Sequence, residues 1–359
     1  MSPLARVYAL VLTCCLLSPI NAAAFERGEV DRFATLPAGF GNPEGITADS
    51  HGNIYVTTFM PTGAPPGQLF VYNRQGHLER QVSIQGSSNL LLGLDFHPDN
   101  HKLLVIDFGR ARVLAVNPFS GVAEDFAVVD PTAGAGLNAL TFDGQGNVYI
   151  SDSFRGMILR TGPNGGAVEV WAEHQLLRPL SAPGTPPSVA VPPFGANGLA
   201  FNKDASALFV ANTGDDRLIK IPVSGGVAAT PEVFVNSING ADGLIIDRDG
   251  NVWVAANQAN EIVVVDKTGR VIAKLGDFDG LDRRGAPKGF LFPASLVRHD
   301  GWIYVTNLAL DLRLFGHPTV DSQWAKEVES HTISRIRARI PRLSGLCDDH
   351  GHRRSERCD

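Results

Sequence analysis

Four oxygen-bearing side chains, Glu44, Asn138, Asn197 and Asp242, stand at the heads of four similar apolar runs. Each is followed at once by a small residue: Gly45, Ala139, Gly198 and Gly243. Two carboxylates and two carboxamide carbonyls make a hard-oxygen set whose charge matches a divalent cation. With no cation between them, the carboxylates would repel at short range. Oxygen-only donors favour Ca²⁺, with Mg²⁺ or Mn²⁺ as alternatives, and the lack of His and Cys at these positions argues against a zinc-type site. Taken singly, each residue also reads as a strand-end cap or turn residue. Their shared position is what points to a single site.

That position belongs to a repeat. Residues 241–266, ADGLIIDRDGNVWVAANQANEIVVVD, read as three short strands separated by tight turns. Similar units begin at 43, 91, 137, 196 and 292, which places equivalent positions at Glu44, Leu92, Asn138, Asn197, Asp242 and Pro293. A period of roughly 40–50 residues with about four strands per unit is the mark of propeller blades. A β-sandwich with accidental similarity would not repeat one turn and one strand in register through the chain. The expected fold is therefore all-β, a six-bladed β-propeller. Its last blade is closed by strands from both chain ends, 331–340 as the third strand and 30–36 as the outer one. Six inner strands converging on one axis bring the four oxygen residues together. Leu92 and Pro293 cannot ligate through their side chains and leave room for water or substrate.

Three insertions interrupt the period: 178–195, rich in proline; 276–291; and 308–330. The first two run into the inner strands of units four and six, on the rim around the channel mouth, where loops set specificity. Asp152, Asn212, Asn257 and Asn307 follow second strands and read either as an outer shell of the site or as turn residues. His51, His97 and His299 fall in turns on the opposite rim and read as solvated. His317 and His331 lie in or beside the last insertion, within possible reach of the mouth.

The chain has 359 residues and a net charge of −6, with no basic stripe, so nucleic acid is not an expected partner. Residues 1–24 read as a signal peptide: Arg6, an apolar stretch from Val7 to Ile20, then Ala22-Ala23-Ala24. The expected location is secreted or periplasmic, with no membrane association after cleavage, as a monomer acting on a small-molecule substrate. The propeller is expected over 25–341. The tail, 342–359, is charged and reads as disordered; its Cys347 and Cys358 could close a loop in an oxidising compartment, bind a metal with His350 and His352, or simply fray.

The pattern resembles the regucalcin/gluconolactonase family (senescence marker protein, LRE-like) and its relatives paraoxonase and diisopropyl-fluorophosphatase. The resemblance spans 30–340 and is carried by PEG at 43–45, ANGLAF at 196–201 with FVANT at 209–213, and ADG at 241–243 with NVWVAA at 251–256. It implies a catalytic Ca²⁺ or similar ion held by Glu44, Asn138, Asn197 and Asp242, with Asp242 as base or nucleophile and Glu44 mainly holding the ion. Two departures matter. Sugar-lactonase members often carry Arg where this chain has Gly136, and paraoxonase-like members carry His where it has Leu92. The expected activity is that of an exported metal-dependent hydrolase of a lactone, ester or phosphotriester. The alternative is a non-enzymatic exported binding propeller with a structural calcium ion.

Overall fold

A computed structural model describes residues 26–179, 194–316 and 321–341. The expected leader (1–24), the tail with Cys347 and Cys358, the middle of the first insertion and His317 lie outside the described residues. Among the described residues, no helix is long and apolar enough to cross a membrane.

Each repeat folds as an antiparallel sheet whose strands follow chain order from the hub outward. The fifth shows the plan: Ala241–Ile246 innermost, then Val252–Ala256, Glu261–Val265 and Val271–Leu275. Its second and third strands are buried along their whole length, because both faces meet neighbouring sheets. The outer strand alternates buried with exposed residues. Six such sheets form the ring, giving the six-bladed propeller. The sixth blade is composite, as expected: Pro293–His299, Trp302–Asn307 and Thr332–Arg337, with Val30–Thr35 as its outer strand. Pairing between the two chain ends closes the ring in this blade.

Three blades share a turn that explains the recurring D-x-x-G-N-x-aromatic pattern. The Asp247 carboxylate accepts from Asn251 Nδ2 and Trp253 Nε1, both at 2.9 Å, and from the Asp249 and Asn251 backbone amides. Asp49 does the same for Asn53 and Tyr55, and Asp143 for Asn147 and Tyr149. The glycine between them sits at φ +81°, +77° and +84° in the three copies, a region open mainly to glycine.

The core consists of apolar layers between adjacent blades. Tyr55, Leu69, Leu94 and Val105 pack between the first and second blades, and Trp253, Ile262, Phe290 and Ile303 between the fifth and sixth. The layer between the second and third blades continues over the hub through Phe59, Leu92, Phe292, Leu308, Leu310 and Leu312. Two of the three insertions contain regular structure. Residues 278–289 form a small hairpin, Phe278–Leu281 with Pro287–Gly289, and the last insertion contains the short helix Asp321–Ala325.

Candidate functional site

Strand register defines the hub. Pro43, Leu91, Leu137, Ala196, Ala241 and Pro293 each pair with the last residue, or the residue beside it, of their blade's second strand. The residue after each is the hub position: Glu44, Leu92, Asn138, Asn197, Asp242 and Ala294. The sixth is thus Ala294 rather than the expected Pro293. One residue is added before this strand, and only the pairing with Asn307 reveals it.

Small residues beside the hub let the inner strands crowd together. A Cβ on Gly198 would stand 2.4 Å from Asp242 O, one on Gly243 2.6 Å from Ala294 O, and one on Gly45 2.3 Å from Leu92 O. Hydroxyl groups then tie blade to blade. Thr57 Oγ1 donates to Leu92 O at 2.6 Å, Thr213 Oγ1 to Ala241 O at 2.7 Å, and Thr306 Oγ1 to Glu44 O at 2.7 Å.

Glu44, Asn138, Asn197 and Asp242 line one cavity at the hub, and all four are buried. Burial, and then the neighbouring Asp242 charge, raise the Glu44 carboxyl well above the usual range. Burial likewise raises Asp242, against the lowering effect of hydrogen bonds from Asn257 and Asn197. Asn257 Nδ2 donates to Asp242 Oδ2 at 3.0 Å, and Asn197 Nδ2 donates to Thr213 Oγ1 at 3.0 Å. Glu44 Oε2 and Asp242 Oδ1 are buried with no hydrogen-bond partner among the described residues. Two unpartnered carboxylate oxygens in one cavity, flanked by carboxamides, fit a hard divalent cation, since burial of such atoms is costly unless something satisfies them.

A second ring surrounds the first. The residue one step beyond each paired position on the second strands is Phe59, Phe108, Ser153, Thr213, Asn257 and Leu308. All but Ser153 line the cavity. The sequence grouped Asn257 with Asp152, Asn212 and Asn307, but register separates them. Asp152 Oδ1 accepts from Gly136 N at 3.0 Å, and its Oδ2 accepts from Arg155 at 2.6 Å. Asn212 donates to Leu176 O and Arg178 O, and Asn307 to Gly289 O, Thr332 and Ser334. These three hold loops, whereas Asn257 holds the hub.

Among the described residues, no histidine lines the cavity. His97 is fully buried, with Nε2 2.9 Å from Gly146 O, which corrects its reading as a solvated turn residue. His51 is exposed and His299 lies near Asp300 at 3.4 Å. His331 Nδ1 accepts from Asn42 N at 3.1 Å between the first and sixth blades. The channel's other mouth is wider and includes Thr47, Asp95 and Thr141, but none of the four hub oxygen residues.

Phe194, Phe292, Leu310 and Leu312 complete the cavity wall. Sequence reading missed this wall. The signal was available in part: Phe59, Phe108 and Leu308 directly follow the strand ends, but one-residue offsets between blades hide their equivalence.

Comparison with known proteins agrees with this architecture. The SMP-30/Gluconolactonase/LRE-like region matches residues 188–276, which contain Asn197 and Asp242. Lactonase drp35 of Staphylococcus aureus is 30% identical over 242 residues, covering 65% of this chain and 68% of that protein. The solved luciferin-regenerating enzyme superposes with a TM-score of 0.60 at 16% identity, over 86% of this chain and 95% of that one. A gluconolactonase from Xanthomonas campestris, XC5397, gives 0.58 at 13% identity over 86% and 89%. At these identities the two structures speak for the fold.

Proposed function

This chain belongs to the SMP-30/gluconolactonase/LRE-like family, and from that premise we propose that it hydrolyses a lactone or ester at a divalent cation, calcium foremost, with a phosphotriester as the related substrate class. The observation that carries this reading is the convergence of Glu44, Asn138, Asn197 and Asp242 on one cavity, with two carboxylate oxygens left unpartnered. Glu44, Asn138, Asn197 and Asp242 would hold the ion, with Glu44 as its main holder. Magnesium or manganese would suit the same oxygen set.

When bound, such a cation polarises the substrate carbonyl and stabilises charge developing on its oxygen. The remaining work falls to the chain. Ionised Asp242 takes a proton from water as it adds to the acyl carbon, or attacks that carbon itself. The acyl C–O bond then breaks and the leaving oxygen gains the proton that water gives up; where Asp242 itself attacked, water next hydrolyses the acyl–Asp242 anhydride and frees the carboxylate, so that one water is consumed per bond cleaved by either route. Asn257 fixes Asp242 Oδ2 and so orients the carboxylate. The apolar wall keeps bulk water off the rest of the site. Export, carried by the leader reading of residues 1–24, and action as a monomer on a small molecule belong to the same proposal.

The test is a screen of lactones, aryl esters and phosphotriesters with and without calcium, together with calorimetric titration of the metal. We expect calcium-dependent turnover that Asp242→Asn abolishes while the variant still takes up the ion. Metal uptake that only raises thermal stability, with no substrate turned over, would instead mark a binding propeller with a structural calcium.

A further inference from the structure

We propose that the substrate is apolar around its scissile carbonyl, an alkyl- or aryl-substituted lactone or ester rather than a polyhydroxylated sugar lactone. This rests on the hydrolase reading above and specifies its substrate class. Beyond the hub oxygens, Asn257 and Thr213, every side chain lining the cavity among the described residues is a phenylalanine or leucine. Thr213 is already committed, accepting from Asn197 and donating to Ala241 O, and Asn257 donates to Asp242. The Asn257 carbonyl oxygen lies close to Gly240, whose Cβ would stand 1.8 Å from it, and is the one buried acceptor of this pair left without a hydrogen-bond partner among the described residues. The site therefore offers hydroxyl groups few partners away from the metal cluster.

Two of the insertions that interrupt the repeat, and the residue directly after the other, supply much of this wall. Phe194 comes from the segment before the fourth blade, Phe292 directly follows the one before the sixth, and Leu308, Leu310 and Leu312 come from the last. Phe292 and the three leucines are nearly inaccessible, so the roof is packed. At the rim the apolar surface continues as an arc. Phe59 meets Phe108 with ring centroids 5.7 Å apart, Phe108 meets Phe154 at 5.6 Å, and Phe154 stacks on Phe194 at 5.7 Å. Gly136 lies against this arc, with the Phe154 ring 2.7 Å from where a Cβ would stand, so the aromatic ring leaves no space for a side chain at this position. A hydrophobic pocket discriminates against a single added hydroxyl by no more than about 100-fold, but a sugar lactone brings several.

Two measurements test the proposal. The first compares kcat/KM for δ-decalactone and D-glucono-δ-lactone under the same calcium concentration; we expect at least about a 100-fold preference for the former. Leu310→Asn should narrow that ratio, mainly by raising KM for the alkyl substrate. The second uses the corresponding lactams, which the site cannot readily open, titrated calorimetrically into calcium-loaded protein. Here too we expect the alkyl lactam to bind at least about 100-fold tighter. Comparable or reversed preference in either measurement overturns the apolar substrate class, as does failure of the alkyl lactam to bind. Preferential lactam binding without turnover of any lactone upholds the apolar site and overturns the hydrolase reading alone.

Discussion

Two carboxyl groups buried under an apolar roof are stable in two ways only, protonated or neutralised by a cation. Burial raises Glu44 and Asp242 together, and their mutual repulsion raises Glu44 further. Metal uptake must therefore expel protons, and affinity should fall as pH drops through about 7, the value to which Asp242 is raised. Calcium titrations in buffers of different ionisation enthalpy should show proton release, and heats independent of buffer would contradict the site. Asn257→Leu removes the Asp242 Oδ2 hydrogen bond, which lowers that carboxyl's pKa. The variant should lose about 10–100-fold in calcium affinity, with the pH dependence moved upward. Unchanged affinity and an unchanged pH profile would reduce Asn257 to a packing residue.

At the level of elements, the hub and the blade turns should separate stability from binding. Gly243→Ala drives a Cβ to 2.6 Å from Ala294 O and 2.8 Å from Ser295 Cα. Both partners are backbone, so inner strands must move, at a cost of about 1–3 kcal/mol, and calcium affinity should fall with stability. Asp247→Ala instead strips the turn that holds Asn251 and buried Trp253. Leaving the indole N–H unpaired costs about 1–3 kcal/mol, yet that turn lies at the opposite end of the inner strand from Asp242. Its melting temperature should drop while calcium affinity holds. Equal effects of both substitutions on affinity would mean that the hub is not set by strand crowding.

Across the whole molecule, the two chain ends meet in the sixth blade, beside the first. His331 sits there, its backbone oxygen accepting from Leu36 N and its ring from Asn42 N. Burial pushes its pKa down to about 4, against roughly 6.5 in an unfolded chain. A depressed histidine contributes stability above the unfolded value and loses it as pH falls, here between about 6.5 and 4, to a limit of about 3 kcal/mol. Denaturant unfolding of the intact protein should weaken across that window, and His331→Gln should flatten the slope. An identical slope in the variant would place the acid sensitivity elsewhere.

The strand repeat, the six blades, the two-ended closure and the oxygen residues Glu44, Asn138, Asn197 and Asp242 were legible in the chain, because hydrophobic alternation and turn glycines are local and recur at every blade. Equivalence between blades was legible only to within a residue. Pro293 stood in for Ala294, and Asn257 was grouped with Asp152, Asn212 and Asn307, since a one-residue offset is settled by cross-strand hydrogen bonds and not by composition. The apolar roof was legible only in part. Phe59, Phe108 and Leu308 directly follow strand ends, but Phe194, Phe292, Leu310 and Leu312 come from separate loops with no common motif, and only closure of the ring carries them to one point over the hub. Local periodicity thus determined the wheel and its oxygen residues, while long-range packing decided what encloses them.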